Sequence, residues 1–133
     1  MKEIVEEMRA RVTRAATANT PLAISGGNSK TFYGGAIIGE ALDIRRYAGI
    51  IDYEPKELVI TVRAGTTLAE IEAAMAKENQ MLAFEPPYFS PHATIGGTVA
   101  TGLSGPRRPY TGAVRDFVLG TRVRQSASLR LCR

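Results

Sequence analysis

The sequence predicts a small α/β (α+β) fold, a small sheet flanked by helices, and three observations carry that prediction. Ile4, Met8, Val12 and Ala15 recur at i, i+4, i+8 and i+11, which puts them on one face of a helix. Thr67-Leu68-Ala69-Glu70 has the spacing of a capping box, in which the threonine hydroxyl accepts from the third amide and the glutamate reaches back. Between and around these stand short apolar runs of strand length.

Taken in order, the first helix is predicted over about 4–18, with Glu6, Glu7, Arg9 and Arg14 on its solvent side. It ends near Asn19, because Pro21 disfavours the helical basin at Thr20. Leu22-Ala23-Ile24 follows as a short buried strand and runs into Ser25-Gly26-Gly27-Asn28-Ser29-Lys30. Ala41-Leu42-Asp43-Ile44 reads as a second strand, Gly49-Ile50-Ile51-Asp52-Tyr53 as a third and Leu58-Val59-Ile60-Thr61-Val62-Arg63 as a fourth. Glu54-Pro55-Lys56-Glu57 joins the last two as a hairpin. The second helix runs from Thr67 to about Asn79, burying Leu68, Ile71, Ala74 and Met75 and ending on an asparagine suited to left-handed backbone.

Three prolines within Glu85-Pro86-Pro87-Tyr88-Phe89-Ser90-Pro91 remove amide donors and make a rigid loop. Thr94-Ile95-Gly96-Gly97-Thr98-Val99-Ala100-Thr101-Gly102 is a second glycine-rich turn leading into a short helix of small residues. Asp116 to Val123 reads as a strand, and residues 124–133, rich in serine and arginine, as a disordered tail.

With 133 residues the chain is a single domain, large enough to bury a core without disulfides or metals. One cysteine excludes a disulfide scaffold, and 44% hydrophobic with 23% charged residues excludes a disordered or membrane chain. No apolar run approaches the length of a bilayer span, and the start lacks a secretory signal, so the expected compartment is the cytoplasm. The net charge of +4 is a property of the tail. Residues 1–102 carry ten Lys and Arg against twelve Asp and Glu, whereas residues 103–133 carry seven Arg against Asp116 alone. Without aromatic interleaving, a helix-turn-helix or zinc spacing, this basicity does not indicate a nucleic-acid partner.

Ser25 to Lys30, after a strand, offers consecutive amides from small residues, an arrangement that binds anions. Lys30-Thr31 would end a phosphate-binding P-loop, but Ile24 and Ser29 occupy its two glycine positions. No G-x-G-x-x-G occurs, which leaves a Rossmann site unsupported. Two small-residue loops in one short chain can grip a long phosphate-bearing ligand from both sides. A lone histidine, His92, makes no metal cluster, and its place beside Pro91 suits a loop role better than catalysis. Cys132 is expected to be an exposed thiol, Arg107-Arg108 a solvated pair, and Asp43 and Asp52 turn caps.

Pro21 through Gly35, Asp52-Tyr53-Glu54-Pro55, Val62-Arg63-Ala64-Gly65-Thr66, Ala83-Phe84-Glu85-Pro86-Pro87, Thr94 through Gly105, and Gly112 through Gly120 occur in the order seen in a known flavoprotein family. Over about residues 20–123 the chain resembles the FAD-binding domain of the vanillyl-alcohol oxidase and p-cresol methylhydroxylase (PCMH) type, and within it the FAD-binding subunits of bacterial glycolate oxidases. The resemblance implies that residues 1–123 are the N-terminal subdomain of a PCMH-type FAD-binding domain whose second half is missing. It implies that Gly26, Gly27, Asn28, Ser29 and Lys30 wrap the FAD pyrophosphate. Thr94, Gly96, Gly97, Ala100 and Thr101 would be the second FAD-contacting segment, with Ser104 and Gly105 beside it. Some relatives bond FAD covalently through a histidine at the place of Asn28, so non-covalent FAD is expected here.

The activity implied is that of an oxidoreductase: oxidation of a 2-hydroxy acid such as glycolate, within an enzyme containing a second flavin subunit and an iron-sulfur subunit. Any inner-membrane association would be peripheral, through those partner subunits. No catalytic acid or base is identifiable. Beyond Val123 the sequence resembles no part of the family, which points to a truncated or frame-shifted reading of a longer gene and makes a non-catalytic remnant the alternative reading. A phosphate-loop nucleotide-binding protein, or a related flavoenzyme acting on sugar or cell-wall precursors, are the other readings the loops leave open.

Overall fold

The computed structural model describes residues 1–36, 38–124 and 129–132. Helix α1 spans Lys2–Thr17, and its apolar face lies where the periodicity puts it, with Ala15 buried and Ile4, Met8 and Val12 half-buried. Asn19 then turns left-handed at φ 52°. Asparagine tolerates that conformation because its short polar side chain can bond locally.

The strands pair off as three two-stranded sheets. Strand β1 (Leu22–Ser25) lies parallel to β2 (Glu40–Asp43), Leu22 opposite Glu40 and Ser25 opposite Asp43. The 14 intervening residues therefore leave β1 and return beside it, and the first glycine turn sits at their start. Arg11 on α1 donates to Glu40 Oε1 at 2.9 Å and also to the Ala41 carbonyl, which ties the helix to this pair.

Strands β3 (Ile50–Glu54) and β4 (Val59–Val62) form the expected hairpin, antiparallel with a register shift between Ile50 and Asp52. Asp43 caps its turn as expected, accepting from the Arg45 amide at 2.9 Å. Asp52 does not: it lies inside β3 opposite Thr61. The hairpin turn closes through Glu57 N to the Glu54 carbonyl, 3.1 Å, and brings Leu58 to φ 56°.

Helix α2 (Leu68–Ala76) buries Leu68 and Ile71 completely. The Thr67 hydroxyl accepts from the Glu70 amide at 3.2 Å, the forward half of the capping box. Ala76 ends the helix three residues before the expected stop, and left-handed Asn79 (φ 56°) completes the exit. Helix α3 (Ile95–Thr101) begins at Thr94, whose hydroxyl accepts from the Gly97 amide, and ends on left-handed Gly102. A short helix α4 (Arg108–Thr111) and a 3-10 turn (Val114–Asp116) follow. The core comprises Leu42, Leu68, Ile71, Phe84, Ala93, Ala113 and Val114, with Phe84 and Phe117 rings 6.0 Å apart.

One expectation for the C-terminal segment is corrected. The strand placed at 116–123 begins only at β5 (Thr121–Arg124), because Asp116 turns back to accept from the Ala113 amide at 2.8 Å and closes the 3-10 turn. Phe117 and Leu119 are consequently exposed at 41% and 73%, not aligned on a buried strand face. Strand β6 (Leu129–Cys132) pairs antiparallel with β5, Thr121 opposite Cys132. The alternation Leu129-Arg130-Leu131 is the period-two pattern of a strand, a short signal against the polar background. Residues 125–128 and 133 lie outside the described residues. No helix among the described residues is long and apolar enough to cross a membrane.

Candidate functional site

The two glycine turns, 68 residues apart in sequence from Gly26 to Thr94, come together in the fold. A Cβ built on Gly26 would sit 2.6 Å from Thr94 Oγ1, and one on Gly27 would overlap the His92 carbonyl. Both are far inside van der Waals contact. Only glycine lets the first turn lie on the backbone and hydroxyl that lead into the second.

The second turn is fixed from below. Thr67 and Thr94 form an isolated antiparallel bridge, Leu68 N donates to the Ala93 carbonyl and Ile95 N to the Thr66 carbonyl, both at 2.9 Å. Gly96 N donates to the Ala64 carbonyl at 2.9 Å, and a Cβ at Gly96 would lie 2.7 Å from that oxygen. Buried Thr66 anchors this layer by accepting from Gly49 N at 2.9 Å and donating to the Arg63 carbonyl at 2.6 Å. The floor is thus built of backbone and threonine, with little freedom to move.

Above it the first turn is open. Asn28 is exposed and left-handed at φ 52°, which reverses the chain between Gly27 and Ser29. Among the described residues, none of the amides from Gly26 to Lys30 donates to another protein group. Lys30 is half-buried, its Nζ donates to Ser29 Oγ at 3.3 Å, and burial holds its ammonium below the usual lysine range. The same Nζ would lie 3.9 Å from a Cβ on Gly97. Gly26, Gly27, Lys30, Thr94 and Gly97 therefore share one locus.

The remaining expected residues divide. Thr101 spends its hydroxyl on its own helix, donating to the Gly97 carbonyl at 2.9 Å, and Ala100 is exposed on α3. Gly105 is held by Glu85: its amide donates to the Glu85 carbonyl at 2.8 Å, and a Cβ there would collide with the Glu85 carboxylate. Glu85 Oε2 also accepts from the Arg107 amide at 2.9 Å. Ser104 Oγ is buried and has no hydrogen-bond partner among the described residues. Buried hydroxyls are satisfied in the great majority of cases, so this one fits a group supplied by a ligand.

A cleft of about 430 Å³ opens on the other side of α3, walled by Val99, Ala113, Val114 and Val118, with Arg108 and Arg115 also lining it. Arg107 and Arg108 are exposed, as expected of a solvated pair, and Arg108 also borders this cleft. Sequence reasoning did not find the contribution of His92, which is made through its backbone carbonyl and carries no side-chain signal.

The family model described as "FAD binding domain" matches residues 3–127. The chain belongs to the FAD binding domain family. Its cofactor is FAD, as the resemblance over 20–123 led us to expect. Within that family it is 53% identical over 121 residues to glycolate oxidase subunit GlcE of Escherichia coli, covering 91% of this chain and 35% of that protein. It is 29% identical over 115 residues to a D-lactate dehydrogenase of Anaerostipes hadrus, covering 85% of this chain and 24% of that protein. The chain therefore spans about a third or less of the length of these curated relatives.

Among solved structures, alkyldihydroxyacetonephosphate synthase superposes with a TM-score of 0.76 at 22% identity, over 96% of this chain and 26% of that one. Aclacinomycin oxidoreductase gives 0.63 at 21% identity, over the same shares. At those identities the likeness is one of fold, and the fold is the N-terminal part of the PCMH-type FAD-binding domain. The residues present fit the cofactor on two counts, first-turn amides that donate to no described protein group and the orphaned hydroxyl of Ser104.

Proposed function

We propose that this chain is the FAD-binding portion of a 2-hydroxy-acid oxidase or dehydrogenase subunit of the glycolate oxidase kind. Glycolate and D-lactate, the substrates in the names of its relatives, are both 2-hydroxycarboxylates, which supports that substrate class. The single observation that carries the site assignment is the closure of the Gly26-Gly27 turn onto His92 and Thr94. Gly26 to Lys30 bind the pyrophosphate through unpaired amides, and Thr94 with Gly97 forms the opposing wall. Ser104 offers its hydroxyl to a polar atom of the cofactor, and Gly96 holds the second turn close to its floor.

FAD, when bound, accepts a hydride equivalent from the 2-hydroxy acid and passes the electrons on. This chain's residues bind and orient it. Asn28 stands where some relatives carry a histidine bonded to FAD, and a side-chain amide is no nucleophile, so the FAD is dissociable. Electron transfer onward falls to partner subunits, a second flavin subunit and an iron-sulfur subunit, and any membrane contact is peripheral and made through them.

Titration of the chain with FAD, followed by flavin fluorescence and by the thermal transition, tests the proposal. Quenching and a raised transition, with FMN much weaker, are expected. A folded chain that leaves flavin fluorescence and its own transition unchanged would contradict it.

A further inference from the structure

The cleft beyond α3 is a space that the two glycine turns do not use. It is lined from the C-terminal part of α3, from α4, from the 3-10 turn and from the start of β5. Its volume of about 430 Å³ lies within the range of small-molecule sites, about 300–1,000 Å³. Of its lining residues Ala113 and Val114 are buried, and Val99 and Val118 are half-buried. The Ala113 amide donates to Asp116 Oδ2 at 2.8 Å, which fixes this part of the lining. Hydrocarbon walls of this kind favour an apolar body withdrawn from water. A two- or three-carbon hydroxy acid would leave most of the space unfilled.

Charge enters from Arg108 and Arg115. Arg108 forms no ion pair among the described residues. Arg115 Nε lies 3.7 Å from Asp116 Oδ1, and the other oxygen of that carboxylate is engaged by the Ala113 amide. Two guanidinium groups against one carboxylate leave a single positive charge, which suits a monoanion. An arginine fork binds a carboxylate through parallel hydrogen bonds and so fixes its orientation as well as its charge. We propose that this cleft binds an organic monocarboxylate with a hydrocarbon body larger than that of the short 2-hydroxy acids. Its head meets Arg108 and Arg115, and its body lies against Val99 and Val118. Because α3 stands between them, this site neither uses nor needs the FAD locus.

The test titrates the full chain calorimetrically with octanoate as the probe, with octanol as the body without the charge and acetate as the head without the body. Arg108→Met and Arg115→Met are compared with Arg107→Met, an exposed arginine outside the cleft lining, and with Val99→Trp, which fills the cleft. Octanoate should bind about tenfold more tightly than octanol or acetate, and Arg108→Met and Arg115→Met should each weaken it about tenfold while leaving octanol unchanged. Arg107→Met should bind both as the wild type does, Val99→Trp should weaken both, and saturating FAD should leave octanoate binding unaltered. No octanoate binding, equal affinity for octanoate and octanol, or wild-type octanoate affinity in Arg108→Met and Arg115→Met would overturn the proposal. An equal loss in Arg107→Met would also overturn it, by showing attraction to the net charge alone. Displacement of octanoate by FAD would overturn the separate site and leave the cofactor assignment standing. Should Val99→Trp not fold, the variants at the two exposed arginines decide the outcome.

Discussion

Thr67 and Thr94 face each other in a single antiparallel bridge, and each caps the helix that follows it. The starts of α2 and α3 are thereby fastened together, and Thr94 then serves as the surface on which Gly26 lies. The position of the first glycine turn follows from a helix cap in the second.

The layer beneath this bridge depends on the Thr66 hydroxyl, which joins Gly49 to Arg63. Thr66→Val keeps the volume and leaves the Gly49 amide without its acceptor. It should cost about 1–3 kcal/mol, the penalty of a buried unpaired donor. A thermal melt unchanged from the wild type would contradict this.

Ser104 separates folding from binding. Its buried hydroxyl lacks a partner among the described residues, so Ser104→Ala should leave the FAD-free chain as stable or slightly more stable. The same variant should bind FAD more weakly. Calorimetric melts with and without FAD check both halves, and loss of stability in the FAD-free variant would show that the hydroxyl serves the protein instead.

Leu58 closes the β3–β4 turn with φ 56° while its side chain is 77% exposed. A leucine there meets the steric penalty of left-handed backbone and gains little burial in return. Leu58→Asn should stabilise the chain by about 1 kcal/mol, raising the melting temperature by a few degrees. A lower melting temperature would show that the leucine has a packing role.

Glu40 and Asp43, at the two ends of β2, give the fold an acid limit. A hydrogen bond from Arg11 holds Glu40 below the ordinary value of 4.5, and hydrogen bonds from Arg45 hold Asp43 below 3.8. A carboxyl depressed by folding contributes stability above its unfolded pKa and loses it as pH falls through the folded value. Stability should therefore decline as pH drops through and below the ordinary carboxylate range, and Arg11→Ala should flatten that decline. An identical pH profile in the variant would contradict the assignment.

Local rules made α1, the hairpin and the start of α2 legible, because Ile4, Met8, Val12 and Ala15 share a face and Thr67 caps by spacing alone. The two glycine turns were legible as anion-binding candidates, and the resemblance marked them as the FAD site proposed above. Their mutual contact was not, since the Gly27 partner is the backbone of His92 and a carbonyl leaves no trace in the sequence. The parallel pairing of β1 with β2 is likewise non-local. At 116–123 the apolar run Phe117-Val118-Leu119 resembled a strand, but the Asp116 carboxylate favoured a turn by bonding the Ala113 amide.

In the proposed site both glycine turns contact one FAD. Amide chemical shifts of the isotope-labelled chain, recorded as FAD is added, test it most directly. Resonances of Gly26, Gly27, Ser29, Lys30 and Gly97 are expected to move together at one apparent affinity, while those of the β3–β4 hairpin stay in place. Movement confined to the hairpin, or movement of one turn without the other, would contradict it.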